Sequence, residues 1–376
     1  NSGDSAYLSR TPSSVGNRRT WTWSGWVKRT TIGAGSPRMF GNYYGGGYQG
    51  WDIAFSSSDK IDIHYDTGGG NYIFRRVTTQ VFRDPSAWYH IVVAVDTTDA
   101  TANDRVKLYV NGEQITAFDT NNNAAQDTDT NINTAVEHRI GYNYSYSDFY
   151  LANVEFIDGD ALLPTKFGAF NDDGIWGPVE YSDSYGTNGF YLKFADNSSN
   201  AALGTDSSGN SNTWTVTNLS VAAGSGNDSL FDSPTNGSQS DTGAGGQLSG
   251  NYCVINPLGR SANNPTVSEG NLKMVHGASQ GTRHGTMGVT SGKWYFEVVY
   301  TAASPLDGMV GVANKNHENN LGNYTGGDSD GWGYYYNGEK YNGGGQGSYG
   351  ASWGVNDVMG IALDMDNGAL YFSKNG

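Results

Sequence analysis

The 376-residue chain is poor in the residues that commonly staple, anchor or charge a protein. It has one cysteine, Cys253, so no internal disulfide can form and the fold must stand on packing. Between Tyr252 and Val254, Cys253 reads as a small buried hydrophobe. No apolar run approaches the ~18 residues that a membrane helix needs, so membrane insertion is not expected. The 22 lysines and arginines stand against 37 acids, a net charge of −15. Phosphate recognition needs a concentrated basic face, and nucleic acid is therefore not an expected partner. The deficit is uneven: residues 1–110 carry +3 and residues 111–376 carry −18.

Glutamate is scarcer still, with eight residues scattered singly and the other 29 acids all aspartate. Retaining glycoside hydrolysis needs two carboxylates about 5 Å apart, and no Glu-x-Asp-x-Glu occurs here. Glu155 and Asp158 are the nearest acidic pair of note, but a spacing of three puts them on opposite faces of a strand. Gly-x-Ser-x-Gly and His-Glu-x-x-His are also missing. His90 reads as a half-buried strand residue making one hydrogen bond. These absences predict no catalytic residue and a protein that is not an enzyme.

What the chain has in excess is 54 glycines and 49 aromatics. The glycines follow no three-residue period, which excludes collagen, and the aromatics exclude general disorder. So much Gly and Asn disfavours helices, leaving an all-β protein of tight turns and aromatic-filled faces. Trp21, Trp23 and Val27 fall on one face of a strand, with Trp26 on the other. Residues 51–65 read as a hairpin, and 88–96 as a near-continuous apolar central strand. Asn111-Gly112 is a strong hairpin-turn signal, the Asn/Asp/Thr-rich stretch 119–135 reads as a loop, and strands resume at 137–157 and 189–194.

The run WYHIVVAVDTTDATANDRVKLYVNGEQI, followed by IGYNYSYSDFYLANVEFIDG, resembles the core hairpin and closing strands of laminin-G-like, concanavalin-type jelly rolls. The opening SAYLSRTPSSVGNRRTWTWSGWVKR and the later FADNSSNAALGTDSSGNSNTWTVTNLS resemble versions of this domain in bacteriophage structural proteins. The segment 221–265 is Gly/Ser/Asn-rich and reads as a flexible linker with a short ordered turn at Leu230-Phe231. Beyond it, SGKWYFEV, MVGVA, GYYYNGEKY, DVMGIALDMD and GALYFSKNG follow in the order and spacing of the SPRY β-sandwich. The expected organisation is therefore two tandem antiparallel β-sandwiches: a jelly roll over 1–220, the linker 221–265, and a SPRY-like sandwich over 266–376. The family pattern would enter further strands at Gly376, and the start at Asn1 lacks a Met, so a longer natural product is expected.

Asp206-Ser-Ser-Gly-Asn210-Ser-Asn212 resembles the Asp-Ser-Ser-Gly-Asn-Gly-Asn segment of laminin-G-like domains and offers hard oxygen donors around a glycine turn. Asp196 stands within reach on the preceding stretch. A calcium site at Asp196, Asp206, Asn210 and Asn212 and an ion-free Asx turn are the two readings. For a ligand, Tyr43, Tyr44, Tyr48 and Trp51 surround flexible glycines, and Tyr142, Tyr144 and Tyr146 alternate as if sharing one sheet face. Tyrosine and tryptophan faces stack on sugar rings while their polar tips stay wet, although packing within the sandwich is the alternative use. With the phage resemblance, these features imply a virion-surface fibre or adhesin subunit, homo-oligomeric, contacting other virion proteins and a host-surface glycan or protein. A purely structural decoration protein is the alternative, and a polysaccharide depolymerase a more distant one.

Overall fold

A computed structural model describes residues 2–42, 49–224, 226–235, 250–259, 265–275, 281–302, 307–319 and 324–376. Its described residues contain no α-helix, only short 3-10 turns among many strands, as the glycine and aromatic content predicts. The chain divides into two compact units, Asn1–Tyr252 and Cys253–Gly376.

Two antiparallel sheets build the first unit. The larger runs, in spatial order, Phe118–Asn122, Tyr72–Thr78, Ile61–Thr67, Gln49–Phe55, Arg38–Asn42, His138–Ile140, Tyr7–Arg10 and Thr215–Thr217. The smaller runs Phe190–Leu192, Phe149–Asp158, Thr20–Arg29, Trp88–Asp96, Val106–Val110 and Glu113–Ile115. Strand alternation sends Trp21, Trp23, Val27, Ile91, Val93 and Val95 into a core shared with Phe40, Trp51, Ile53 and Phe74 of the larger sheet. Trp21 meets Trp51 edge-on at 5.1 Å and Trp51 stacks on Phe74 at 5.3 Å.

The opposite face of the smaller sheet is buried as well. Val92, Ala94, Tyr109, Ile157 and Tyr191 form a second cluster with Phe167, Tyr181 and Tyr185, which come from the excursion between the Phe149–Asp158 and Phe190–Leu192 strands. Trp26 lies on this face and stacks on His90 at 4.7 Å. The hairpin after Val110 turns on Asn111 and Gly112, both at positive φ (50° and 85°), the conformation its dipeptide favours. Gly112 is required twice over, because a Cβ there would meet the Trp176 ring at 2.8 Å.

Two segments depart from the sequence reading. At the start of the 119–135 stretch, residues Phe118–Asn122 form the edge strand of the larger sheet, paired with Tyr72–Thr78. Their side chains have no apolar alternation; the strand is held by its ladder and by Arg76, which donates to Asn121 Oδ1 (3.1 Å) and Asn123 Oδ1 (2.8 Å). The described parts of 226–252 pack on the first unit. Lys28 Nζ donates to Asp232 Oδ2 (2.7 Å), Asn251 Oδ1 (2.9 Å) and Tyr252 O (2.8 Å), while Trp88 Nε1 donates to Asp232 Oδ1 (2.9 Å). A parallel bridge joins Asp232 to Gly250.

The second unit holds a sheet of Lys293–Val299, Val358–Asp364 and Ala369–Lys374, and another of Met309–Ala313, Gly331–Tyr335, Glu339–Asn342 and Gly345–Ser348. Its core is small: Tyr334, Trp353 and Met359, with Tyr300, Val310, Tyr336 and Phe372 against them. Trp294 and Phe296 pair with Leu363 and Ile361 yet stay 40 % and 42 % exposed. Cys253 is exposed rather than buried; its neighbour Val254 takes the inward position.

Candidate ligand-binding face

The outward face of the larger sheet carries an alternating row of charges. Register places Asp52 beside His64 and His64 beside Arg75 on adjacent strands. Arg38 Nε donates to Asp52 Oδ2 (3.0 Å), His64 lies 3.5 Å from Asp52 and 3.2 Å from Asp62, and Arg75 Nη2 reaches Asp62 Oδ2 at 2.7 Å. Burial opposes charge on His64, but the hydrogen bonds it donates to the two carboxylates outweigh it and lift its pKa to about 9. His64 is thus held charged between its two carboxylate partners, and the row is mutually satisfied, a rigid polar floor.

At one end of that floor stands a tyrosine cluster. Residues Tyr142–Asn143 and Ser145–Tyr146 form a minimal hairpin with Tyr144 at its tip, φ 69°. Tyr142 and Tyr146 therefore face each other across the hairpin, stacked at 4.4 Å, with Tyr7 5.2 Å from Tyr142. The Arg139 guanidinium lies over Tyr142 at 4.7 Å and bonds Glu137. Tyr144 separates from the pair and sits on Arg38 at 5.7 Å, so the expected single face for 142, 144 and 146 is corrected to a stacked pair and a tip. Asn143, buried, donates to Asp52 Oδ1 at 2.8 Å and ties the hairpin to the floor. Tyr146 is 36 % exposed, and an exposed ring beside a fixed guanidinium suits stacking on a sugar ring with polar contacts at its edge.

The other aromatic candidates fare differently. Trp51 is wholly buried in the core between Trp21 and Phe74, which removes it from any ligand surface. Tyr43, Tyr44 and Tyr48 lie outside the described residues.

On the smaller sheet, Ser24 Oγ and His90 Nε2 are 2.9 Å apart, a pairing that invites a catalytic reading. Trp176 Nε1, which can only donate, lies 2.9 Å from His90 Nδ1. Nδ1 is therefore the acceptor, Nε2 carries the proton, and Ser24 Oγ accepts it; the imidazole has no lone pair to offer the hydroxyl. Burial holds His90 down to about 3, and both side chains are sealed beneath the excursion. Glu155, directly across from Ser24, is pushed up to about 8 by burial, and Tyr185 OH donates to it at 2.7 Å. It is a neutral acid in the interior.

Residues 1–160 match the concanavalin A-like lectin/glucanases superfamily, and residues 293–376 match the SPRY domain. The chain carries a concanavalin-like domain and a SPRY domain. No curated protein matches it by sequence. Similar solved structures include a heptameric SAP-like pentraxin from Limulus polyphemus, 14 % identical over 42 % of this chain and 71 % of that one, TM-score 0.30. Trypanosoma rangeli sialidase is 12 % identical over 39 % of this chain and 22 % of its own, TM-score 0.29. Botulinum neurotoxin type C is 10 % identical over 42 % and 39 %, TM-score 0.29. Likenesses this distant carry no functional argument.

The Asp206–Asn212 turn of the concanavalin-like domain is closed by its own donors. Asp206 Oδ1 accepts from Tyr191 N and Ser208 N, both 2.9 Å, and Oδ2 from Asn212 N (2.7 Å) and Ser208 Oγ (2.9 Å). Asn210 and Asn212 turn their amide nitrogens toward the carbonyls of Gly186, Thr187 and Gly189. Asn212 Oδ1 accepts from the Arg10 guanidinium, whose other nitrogen reaches Asn188 O at 3.4 Å. Asp196 caps its own turn through Ser198 N. This donor set does not fit calcium: the carboxylate oxygens are taken, and a fixed cation already stands among the oxygens. Among the described residues no group of three or more His, Cys, Asp or Glu could hold a metal ion.

Sequence reasoning found the 142–146 tyrosines but missed Tyr7, Arg139 and Arg38. Arg139, in the short strand His138–Ile140, carries the only local signal: an arginine three residues before a tyrosine pair. Tyr7 arrives by pairing of Tyr7–Arg10 with His138–Ile140, a long-range contact no local pattern announces.

Proposed function

We propose that this chain is a non-enzymatic adhesive protein whose concanavalin-like domain binds a surface glycan through the Tyr142–Tyr146 corner. The carrying observation is the exposed Tyr146 ring stacked on Tyr142, with Arg139 and Tyr7 behind it, tied by Asn143 to a rigid charged floor. The occupied Nδ1 of His90 and the neutral, buried Glu155 support binding over hydrolysis. A half-open corner gives weak single-site affinity, so the reading includes display in several copies, where avidity supplies the strength. The resemblance of the 5–29 and 194–220 segments to phage structural proteins favours a virion-surface fibre or adhesin subunit, assembled with itself and other virion proteins.

The experiment is a glycan array probed with the full chain on multivalent beads, wild type beside Tyr146→Ala. Binding to a defined glycan class that Tyr146→Ala loses supports the reading. An array on which the wild-type beads bind nothing overturns it and leaves a structural decoration role.

A further inference from the structure

A second aromatic cluster lies on the SPRY domain. Tyr335 ends the Gly331–Tyr335 strand, and Tyr341 pairs with Gly333 on the neighbouring strand, so both rings stand on the same face, with the Met309 side chain and Thr325 O packed over Gly333. Tyr341 lies nearly perpendicular to Tyr335 (5.7 Å, 76°) and to Tyr324 (5.7 Å, 87°), and all three are half-buried. Two carboxylates flank them: Tyr335 OH bonds Asp307, and Tyr341 OH lies 3.2 Å from Glu339 and 2.8 Å from Gln346 Oε1.

Perpendicular tyrosines by themselves are ordinary packing. What sets this cluster apart is charge. In the concanavalin-like domain, comparable tyrosines already hold a cation of the chain: Arg75 over Tyr72 (4.5 Å), Arg139 over Tyr142 (4.7 Å), Lys193 over Tyr191 (5.5 Å) and Lys28 over Tyr150 (5.6 Å). Among the described residues, no lysine or arginine sits over Tyr324, Tyr335 or Tyr341. Three electron-rich rings with two anions at their rim and no cation of their own are a complementary surface for one from outside.

We propose that the Tyr324/Tyr335/Tyr341 corner binds an organic cation of the quaternary ammonium class. Tyr335 OH bonds Asp307, and Glu339 Oε2 accepts from Asn337 Nδ2 (2.7 Å) while the single Tyr341 hydroxyl proton goes to the nearer Gln346 Oε1, so Asp307 and Glu339 act on the rings mainly through their field. That favours a cation that donates no hydrogen bonds over a lysine ammonium, which would need three acceptors. Trimethylammonium groups occur on choline-type headgroups and on trimethylated lysine, and the chemistry is shared.

The test is ligand-observed NMR of the full chain with tetramethylammonium chloride, against sodium chloride at equal ionic strength. Saturable binding is expected, weakened about tenfold in Tyr341→Ala and about threefold in Glu339→Gln, with Tyr341→Phe close to wild type. Choline and a neutral peptide carrying trimethyllysine, run in parallel, separate the two sources by their relative affinity. Absence of saturation with tetramethylammonium overturns the proposal, as does affinity unchanged in Glu339→Gln. The glutamine variant keeps the test valid should Tyr341→Ala fail to fold. This proposal is independent of the glycan reading, which concerns the other domain.

Discussion

Lys28 and Asp232, 204 positions apart in the chain, form an ion pair of 2.7 Å with both side chains almost wholly buried. Every Lys28 ammonium proton has an acceptor, and Trp88 holds the second carboxylate oxygen. Such a pair adds little net stability over an apolar substitute, but losing one partner strands a buried charge. Lys28→Met is expected to destabilise the concanavalin-like domain by about 3–5 kcal/mol in denaturant titration. Exchange of the Ser233 and Asn251 amides, which bond Gly250 O and Thr235 O, should accelerate more than that of the core strands. Equal acceleration throughout would show that the pair does not anchor this segment in particular.

Much of the fold was legible beforehand because the strands bury one or both faces and the alternation of Trp21, Trp23 and Val27 announces it. The Asn111-Gly112 turn was equally plain, since both positions need positive φ. The anchoring of 226–252 was not legible: the buried aspartate is one among many in a polar stretch, and its partner lies on a distant strand. The same holds for the Phe118–Asn122 edge strand, which pairs by backbone alone. At the ligand face, aromatic alternation located the tyrosines, but it could not distinguish Trp51 in the core from Tyr146 at the surface.

That distinction is measurable. Trp51→Ala empties a packed site and is expected to cost about 3–5 kcal/mol. Tyr146→Ala should shift the melting temperature little while abolishing glycan capture. A large thermal loss in Tyr146→Ala would mean that the stack holds the hairpin rather than offering a ring.

The charged floor predicts a pH dependence. His64 has a folded pKa of about 9, above its ordinary 6.5, so its stabilising contribution is complete below about 6.5 and is lost as pH rises through 9. Glu155, raised to about 8 from 4.5, binds its proton more tightly when folded, so its contribution is present below 4.5 and fades between 4.5 and 8. Both slopes have the same sign, and stability should fall from pH 6 to pH 9. His64→Gln is expected to flatten the upper part of this slope and Glu155→Gln the lower, as read by urea midpoints at half-unit intervals. A wild-type midpoint that rises over this range contradicts both assignments.

For the Asp206–Asn212 turn, calcium added to chelator-treated protein should change neither binding heat nor melting temperature. Arg10→Ala should lower the melting temperature, because it removes the guanidinium among these oxygens and leaves the Asn212 and Asn188 acceptors open. A calcium-dependent rise of several degrees in the wild type would restore the metal reading.

The parallel bridge between Asp232 and Gly250 holds the two ends of a Gly/Ser-rich stretch side by side on a firm base. Because Asp232 also carries the Lys28 and Trp88 bonds, the bridge fixes Gly250 to the same buried ion pair, and one carboxylate governs how this stretch is seated on the concanavalin-like domain.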